Sequence, residues 1–272
     1  MRTLTNVFAA GALVLAACSS SPSTSPASTT SGPPATTQPA TTQPSTTQPS
    51  TSTSTTSTSN PATTTTAQPI DESAQVVYLV KGQTLRVAGR YLGTWDATAV
   101  MQALLAGPTA SERAAGISTQ IPAGTALRSA AIEGHVATVD LSKQFESGGG
   151  SLSMQLRVAE VVYTLTTLPG VDAVNFRLDG KAVTSIGGEG IEAVKLTREA
   201  LQDAVLPPIL LEAPFDGAKL VQPLVIGGTT NAFEATVNYE VVDATGKVLG
   251  SGMTMATCGS GCWGVFRAQL KP

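Results

Sequence analysis

The sequence predicts an α+β domain followed by a small all-β sandwich, with a disordered segment in front of both. Three observations support this order. A stretch with helical periodicity, residues 152–168, lies between strand-like segments. After Pro207-Pro208, only short strand signals separated by Gly and Pro turns remain. Residues 19–69 have low complexity, since 40 of these 51 residues are Ser, Thr or Pro, and such a composition cannot bury enough apolar surface to fold.

These shifts in composition also give the domain boundaries. The predicted segments are a lipoprotein signal peptide at 1–17, a Ser/Thr/Pro-rich disordered tether at 18–69, the α+β domain at 70–203 and the β-sandwich at 204–272. Three tandem pentapeptides fill residues 35–49 of the tether. A flexible coil of this length spans about 40 Å on average, so it would hold the folded part away from its point of attachment.

The N-terminus has the features of an export signal. Arg2 precedes an apolar run at residues 7–17, which is too short to span a bilayer as a permanent helix. The run ends in LAAC, residues 15–18, which resembles a bacterial lipobox. This resemblance implies cleavage before Cys18 and acylation of that residue. We therefore expect a lipid anchor at Cys18, with the protein on the extracytoplasmic face of the cell membrane.

The α+β domain is predicted from alternating strand and helix signals. Its elements are expected in the order strand 76–80, helix 97–106, strand 137–141, helix 152–168 and strand 171–178. Thr94 or Asp96 can cap the first helix, and Gly107-Pro108 ends it. The apolar faces are predicted as Ala97, Val100, Met101 and Leu104 for the first helix, and Leu152, Leu156, Ala159, Val162 and Tyr163 for the second. We expect both helices on one face of a sheet.

The β-sandwich is predicted from turn-bounded strand signals. A possible short helix at 197–203 precedes the boundary, and the strands are expected at 209–212, 219–226, 232–242, 248–255 and 263–270. In the third of these, Val237, Tyr239 and Val241 alternate and should face the same way.

Several of these segments resemble a known pair of domains. LLAGP (104–108), IPAGT (121–125), ATVDLS (137–142) and the run 161–180 are similar, in this order, to the GerMN domain of sporulation, germination and other bacterial lipoproteins. The likeness covers about residues 75–190. Residues 207–270 resemble the immunoglobulin-like domain that often follows GerMN. The resemblance implies a binding or scaffold role in the cell envelope, with a link to sporulation or germination and no established catalytic activity. A single GerMN copy is present, so a role that needs tandem copies is not implied.

The residue inventory gives little support to an enzyme. His135 is the single histidine, and its place in a turn favours a solvated side chain over a catalytic base. A Ser-His-Asp triad would need it, yet the chain has no G-x-S-x-G segment. A zinc site formed by His135 with Cys258 and Cys262 would require two domains to converge. We therefore predict no catalytic, cofactor-binding or metal-binding residues.

Three further features of the sequence have both a structural and a functional interpretation. The glycines at 148–150 precede a helix, but they lack the lysine of a phosphate loop, so a connector capped by Ser151 is favoured. Phe233 is interpreted as a core residue and not as a ligand contact. Paired carboxylates for glycan hydrolysis remain available, although nothing selects two of Glu146, Glu160, Glu189 and Glu192.

The segment TCGSGCWG, residues 257–264, contains the other two cysteines. A redox pair usually has two intervening residues at a helix start, whereas Cys258 and Cys262 are separated by three and flanked by strand formers. A zinc site lacks further ligands. With Cys18 acylated and the protein exported, we predict a disulfide between Cys258 and Cys262 that clips a hairpin, aided by Gly259 and Gly261.

The predicted function is that of a membrane-anchored binding or scaffold module of the cell envelope. The formal net charge is −3 and no Lys/Arg cluster occurs, so nucleic acid is an unexpected partner. The expected partners are the membrane, through the lipid on Cys18, and envelope proteins or cell-wall glycan. The alternative is a cell-wall glycan hydrolase or transferase that uses unassigned carboxylates. A solute-binding lipoprotein is a third reading, but two small domains leave little room for a deep cleft.

Overall fold

The computed structural model describes residues 74–188, 190–218, 220 and 223–270. The signal peptide, Cys18 and the tether predicted at 18–69 therefore lie outside the described residues. The described residues belong to one compact unit. Within it, the N-terminal domain (residues 74–206) is α+β and the C-terminal domain (residues 207–270) is all-β, which confirms the predicted fold class.

The N-terminal domain alternates strands and helices. In chain order its elements are β1 (Ala74–Lys81), β2 (Thr84–Tyr91), α1 (Ala97–Leu105), α2 (Ala110–Ala114), β3 (Ile117–Ser118), β4 (Leu127–Glu133), β5 (Val136–Leu141), α3 (Ser151–Leu165), β6 (Ala173–Leu178), β7 (Lys181–Ala182), β8 (Ser185–Ile186), β9 (Ile191–Glu192) and α4 (Gln202–Val205). A 3-10 helix, Lys143–Glu146, lies between β5 and α3. The helix predicted at 197–203 is displaced, because the structure has its short helix, α4, at Gln202–Val205.

Two main sheets form this domain. One has the order β2-β1-β3, and the other has the order β4-β5-β6-β7. β5 and β6 are parallel, and α3 is the crossover between them. The small β8-β9 hairpin stands apart as a third sheet.

Helix α1 matches its prediction closely. Asp96 caps it, since its Oδ1 accepts a hydrogen bond of 2.9 Å from the Ala99 backbone N–H. This hydrogen bond lowers the pKa of the Asp96 carboxyl. The buried side chains are Ala97, Val100, Met101 and Leu104, as the periodicity predicted. No helix among the described residues is both long and apolar enough to cross a membrane.

Helix α3 differs from its prediction. It contacts strands of both main sheets, β1 and β6, and packs against α1 as well. Arg157, Glu160 and Thr164 are therefore buried along with the apolar residues, and the expectation of helices on one face of a single sheet is wrong. The N-cap is Gly150, without a side-chain hydrogen bond, so Ser151 is the first helical residue and not the cap.

The C-terminal domain is a sandwich of two small sheets. Its strands are β10 (Ile209–Ala213), β11 (Leu224–Thr230), β12 (Thr236–Val242), β13 (Val248–Met255) and β14 (Gly264–Leu270). The sheets have the orders β10-β11-β14 and β12-β13. β11 and β12 start later than predicted, and residues Phe233–Ala235 form a 3-10 turn where a strand was expected. Val237, Tyr239 and Val241 are the less exposed residues of β12, which confirms their shared face.

Candidate functional site

A cleft of about 400 Å³ opens at the C-terminal end of α1. Its walls include the segments LLAGP (104–108) and IPAGT (121–125), which are separated in sequence but adjacent here. Arg113, β3 and Thr119 complete the lining. Two of the four segments that carry the family resemblance thus meet around one concave surface, which the sequence did not predict.

Two turns shape the mouth of the cleft. Gly107 has φ +71 and ends α1, a conformation that favours glycine. Gly124 has φ +85, and the backbone N–H of Thr125 donates to the carbonyl of Pro122 at 3.1 Å. The Thr125 hydroxyl donates to the same carbonyl at 2.8 Å. At the first turn, the Gly107 backbone N–H donates to the Leu104 carbonyl at 2.9 Å, so local hydrogen bonds hold both turns.

A half-buried ion pair supports the first wall. The two Nη atoms of Arg90 lie 2.6 and 2.9 Å from the carboxylate oxygens of Glu112, and Nη2 also donates to the Gly107 carbonyl at 3.2 Å. Burial raises the pKa of Glu112, but hydrogen bonds from Arg90 and Thr109 outweigh it and hold the pKa below its usual value. Thr109 and Glu112 also form the capping box of α2.

Glu160 supports the second wall from inside the protein. Its Oε2 accepts from the Thr119 hydroxyl at 2.5 Å, and its Oε1 accepts from the Gln120 backbone N–H at 2.6 Å. Glu160 is fully buried, and burial raises its pKa to about 8 against the opposing effects of these hydrogen bonds and of Arg157. The hydrogen bonds of this carboxyl group thus hold the segment that leads into IPAGT.

Arg157 works beside Glu160 on the same helix. Its Nε donates to the Gln120 carbonyl at 2.8 Å, and its Nη1 donates to the Phe145 carbonyl at 2.6 Å. Its Nη2 reaches the Gly148 carbonyl at 3.1 Å. The glycine-rich connector is therefore fastened to α3, and both buried ionisable side chains of this helix position backbone segments.

The cleft can bind but lacks a reactive group of its own. Its described lining consists of alkyl side chains, backbone groups, three hydroxyls from Ser118, Thr119 and Thr125, and Arg113. The Arg113 Nη1 donates to the Pro108 carbonyl. Such a mixture of apolar walls and a few polar groups suits recognition of a ligand or a protein segment.

The carboxylates considered for hydrolysis do not meet at this cleft. Glu146 accepts from the Gly187 backbone N–H at 3.0 Å, Glu160 is buried, and Glu192 is exposed on β9. Glu189 lies outside the described residues. None of the three described carboxylates lines the cleft.

His135 is placed as the sequence predicted. It lies in the exposed turn between β4 and β5, and its side chain is 75% exposed, with Nδ1 3.2 Å from Asp172 Oδ2. Within the described part of the chain, no three His, Cys, Asp or Glu side chains are grouped to hold a metal ion.

The prediction for Phe233 is wrong. Its side chain is 77% exposed. It begins the 3-10 turn, in which Glu234 and Ala235 adopt positive φ angles of 53 and 57. This local conformation takes the chain out of the strand alternation that would have turned the ring inward.

Cys258 and Cys262 are joined by a disulfide, with their Cα atoms 5.9 Å apart. The bridge does not clip a hairpin, because it lies in the connection from β13 to β14, and these strands belong to different sheets. Gly261 has φ +101. At Gly259, an added Cβ would lie 2.1 Å from the Ala235 backbone nitrogen. The glycines therefore let the bridged loop turn and lie close against the 3-10 turn.

A polar cluster at the domain junction was missed by the sequence reading. Arg198 lies over two rings, with its guanidinium carbon 5.2 Å from the Tyr78 centroid and 4.9 Å from the Tyr163 centroid. Its Nη1 is 3.3 Å from Glu212 Oε1, and the Tyr78 hydroxyl donates to the same carboxylate. Burial raises the pKa of Tyr78, which keeps this donor protonated. These residues are far apart in sequence, so no local pattern identifies them.

Three more contacts cross the junction. The Phe215 ring lies over Gly89, where an added Cβ would be 2.1 Å from a ring carbon. Arg86 pairs with Asp216 at 3.3 Å, and the Trp263 indole N–H donates to Asp203 at 2.6 Å. The two domains are therefore joined by apolar, ionic and hydrogen-bonded contacts at once.

Comparison with known proteins gives the family. The family model Germane, described as sporulation and spore germination, matches residues 34–184, which is more than half of the chain. A second model, Gmad2, described as the immunoglobulin-like domain of bacterial spore germination, matches residues 208–271. Among curated proteins, the search found no match.

Three solved structures are similar at low identity. The first GerMN domain of the sporulation protein GerM from Bacillus subtilis is 22% identical, with 46% of this chain and 98% of that chain covered and a TM-score of 0.40. A putative lipoprotein from Clostridium perfringens is 20% identical, with coverage of 48% and 90% and a TM-score of 0.36. The tandem GerMN domains of GerM are 16% identical, with coverage of 72% and 60% and a TM-score of 0.41.

The two family models confirm the resemblance that the sequence motifs indicated. Neither family description names an enzymatic activity. This chain belongs to the Germane family of sporulation and spore germination and carries the immunoglobulin-like domain of bacterial spore germination at its C-terminal end.

Proposed function

We propose that the protein is a lipoprotein anchored through Cys18 to the extracytoplasmic face of the cell membrane, where its two domains form a binding or scaffold module of the cell envelope. Its partners are envelope proteins or cell-wall glycan, and the process it serves is related to sporulation or germination. The anchor rests on the lipobox-like LAAC, residues 15–18, and on the tether that follows it.

The observation that carries the binding role is the cleft between LLAGP and IPAGT. Two of the four segments of the family resemblance form its walls. Two buried ionisable side chains behind it, Arg157 and Glu160, hold the segment that leads into IPAGT. A preformed concave surface with hydroxyls and one arginine, and without a free carboxylate pair, supports recognition in preference to hydrolysis.

The binding role is tested by filling the cleft. Ala123 is an exposed residue of its lining, so Ala123→Trp should block entry of a partner without disturbing the core. Ala182→Trp, on the exposed strand β7, is the matched control. Crosslinking in intact cells with the full-length protein should capture the same envelope component with the wild type and the control, and less of it with Ala123→Trp. Equal capture by all three proteins would refute the cleft as the binding site.

The anchor is tested separately. Cys18→Ser should move the protein from the membrane fraction to the soluble extracytoplasmic fraction, because the acyl chains supply the attachment. Mass spectrometry of the wild-type protein should show a lipid-modified Cys18 at the mature N-terminus. Retention of Cys18→Ser in the membrane fraction, with an unmodified Cys18 in the wild type, would exclude the lipid anchor and leave the cleft test unaffected.

A further inference from the structure

The outer edge of β12 is free of any partner strand within the part of the chain that the structure describes. β12 (Thr236–Val242) pairs with β13 on one side, and these two strands form a sheet of their own. The strand is seven residues long, contains no proline and carries a single charge, Glu240. Proteins usually protect such an edge with lysine, proline, a bulge or a covering loop. The register shift of this sheet, between Val241 and Val242, leaves the extra residue on β13 and not on the open edge of β12.

The sequence of β12 is complementary to itself when read in the opposite direction. Antiparallel pairing of two copies centred on Tyr239 would use all seven residues. It places Asn238 opposite Glu240, Val237 opposite Val241, and Thr236 opposite Val242, each pair occurring twice by symmetry. The first pair joins an amide donor to a carboxylate, and the other two join β-branched residues, which are favourable neighbours across strands.

The faces of the strand fit this register. Asn238, Glu240 and Val242 are exposed, whereas Val237 is buried and Tyr239 and Val241 are half-buried. Every pair therefore joins residues on the same face of the extended sheet, as a β-ladder requires. A shift of the centre to Glu240 would set two carboxylates directly opposite each other, which is unfavourable.

The surface beside the edge also favours association. β13 exposes Leu249, Met253 and Met255, which are 64%, 63% and 56% exposed. Methionine-rich, exposed surfaces are adaptable contact sites. Joining two copies along β12 would turn two-stranded sheets, which are weak alone, into one four-stranded sheet.

We propose that the protein forms a twofold symmetric dimer through antiparallel pairing of β12 with β12 of a second copy. This assignment goes beyond the proposed binding role and depends on neither the cleft nor the anchor. Anchored copies would meet more readily, because confinement to one membrane raises their effective concentration.

Charge at position 238 tests the register. Asn238 and Glu240 are exposed, so substitutions there leave the core intact. In the dimer, N238E sets a carboxylate opposite Glu240 of the second copy twice, and N238K sets an ammonium there twice. Sedimentation of the full-length protein in detergent, with Cys18→Ser in every variant, should show a dimer that N238E weakens and N238K strengthens, each on the order of tenfold in Kd. The double variant N238E/E240K should restore the wild-type affinity.

A disulfide test fixes the geometry. One protein carrying N238C and another carrying E240C should crosslink efficiently when the two are mixed, since these positions face each other in the dimer. Each single variant alone should crosslink much less. A monomeric wild type at all accessible concentrations would overturn the proposal. A dimer that responds equally to N238E and N238K, or that crosslinks no better in the mixture than in the separate samples, would overturn it as well.

Discussion

The N-terminal domain is organised around a helix buried on nearly all sides, whereas the C-terminal domain has a thin core. Among the residues that the structure describes, five buried apolar side chains belong to the C-terminal domain, namely Leu210, Phe215, Ile226, Val237 and Phe266. Two of these five, Leu210 and Phe215, are part of the main core cluster of the N-terminal domain. Most of the exposed large apolar side chains of the described residues lie in the C-terminal domain, among them Leu249, Met253 and Phe233.

This difference indicates how each domain is stabilised. The N-terminal domain contains most of the buried apolar side chains of the described residues, and each Å² of buried apolar surface contributes about 25 cal/mol. The C-terminal domain relies on contacts from outside its own core: the junction, the Cys258–Cys262 bridge and, in our proposal, a second copy. Each of the following changes should therefore affect the two domains unequally.

The largest effect is expected from removing the Phe215 ring. Phe215→Ala empties the site over Gly89 and should lower the free energy of unfolding of the C-terminal domain by about 3–5 kcal/mol. Hydrogen exchange should show faster exchange in β10–β14, with little change in α3. Phe233→Ala removes the same ring from an exposed position and should change stability by less than about 0.5 kcal/mol. Equal effects of the two variants would contradict the role given to the junction.

The second largest effect is the pH dependence of stability that Glu160 causes, and it should be confined to the N-terminal domain. Glu160 has a pKa of about 8 in the folded protein against an ordinary value of 4.5. Between these two pH values, the unfolded chain has lost a proton that Glu160 keeps in the folded chain. The stabilising contribution of Glu160 is therefore complete below pH 4.5 and is lost as the pH rises through about 8. The expected slope is about 1.4 kcal/mol per pH unit in this window.

The variant Glu160→Gln should abolish this slope, because the amide has no proton to lose and can still hydrogen-bond Thr119 and Gln120. Glu192→Gln, at an exposed carboxylate, is the control and should keep the wild-type slope. The measurement is thermal unfolding of the three proteins from pH 5 to pH 8. An unchanged slope in Glu160→Gln would place the titrating group elsewhere.

Reduction of the disulfide should have a smaller effect on stability, and the effect should be confined to the C-terminal domain. Opening the short loop between Cys258 and Cys262 should cost the C-terminal domain roughly 2 kcal/mol through the added freedom of the unfolded chain. Thiol titration of the unreduced protein carrying Cys18→Ser should find no free thiol, and the reduced protein should show early exchange in β13 and β14. Two free thiols before reduction would exclude the bridge.

The smallest effect is expected at the rim of the junction. Trp263→Phe removes the hydrogen bond to Asp203 and should lower stability by less than about 1 kcal/mol, since the pair is exposed. Asp203→Ala should have a similar effect, and the double variant should be no worse than either single one, because all three remove the same bond. Additive losses would show that the two side chains act independently.

Local patterns predicted most of the elements. The apolar spacing and cap of α1, the strand β5 and the alternation within β12 agree with the structure, because neighbouring residues decide each of them. The full burial of α3 could not be predicted, since a helix between two sheets buries both of its faces and its sequence still shows a stripe. Arg157 and Glu160, two ionisable residues of this helix, look like surface residues until their backbone partners are known.

The candidate site was predictable only in part. The motifs LLAGP and IPAGT marked the right region through resemblance, but their meeting at one cleft depends on the path of α2 and β3. Phe233 was misassigned because strand alternation was extended across a turn with positive φ angles. Glu212 gave no signal at all, since its partners Tyr78 and Arg198 belong to the other domain.

The sequence by itself determined the class of each domain, the family, the expected anchor at Cys18 and the candidate pairing of Cys258 with Cys262. These properties depend on composition, periodicity and short motifs, all of which are read from neighbouring residues. The tertiary structure alone decided which buried side chains hold backbone segments in place, how the two domains are joined and which strand edge stays open. These properties arise from contacts between residues distant in sequence, and no local pattern encodes such contacts.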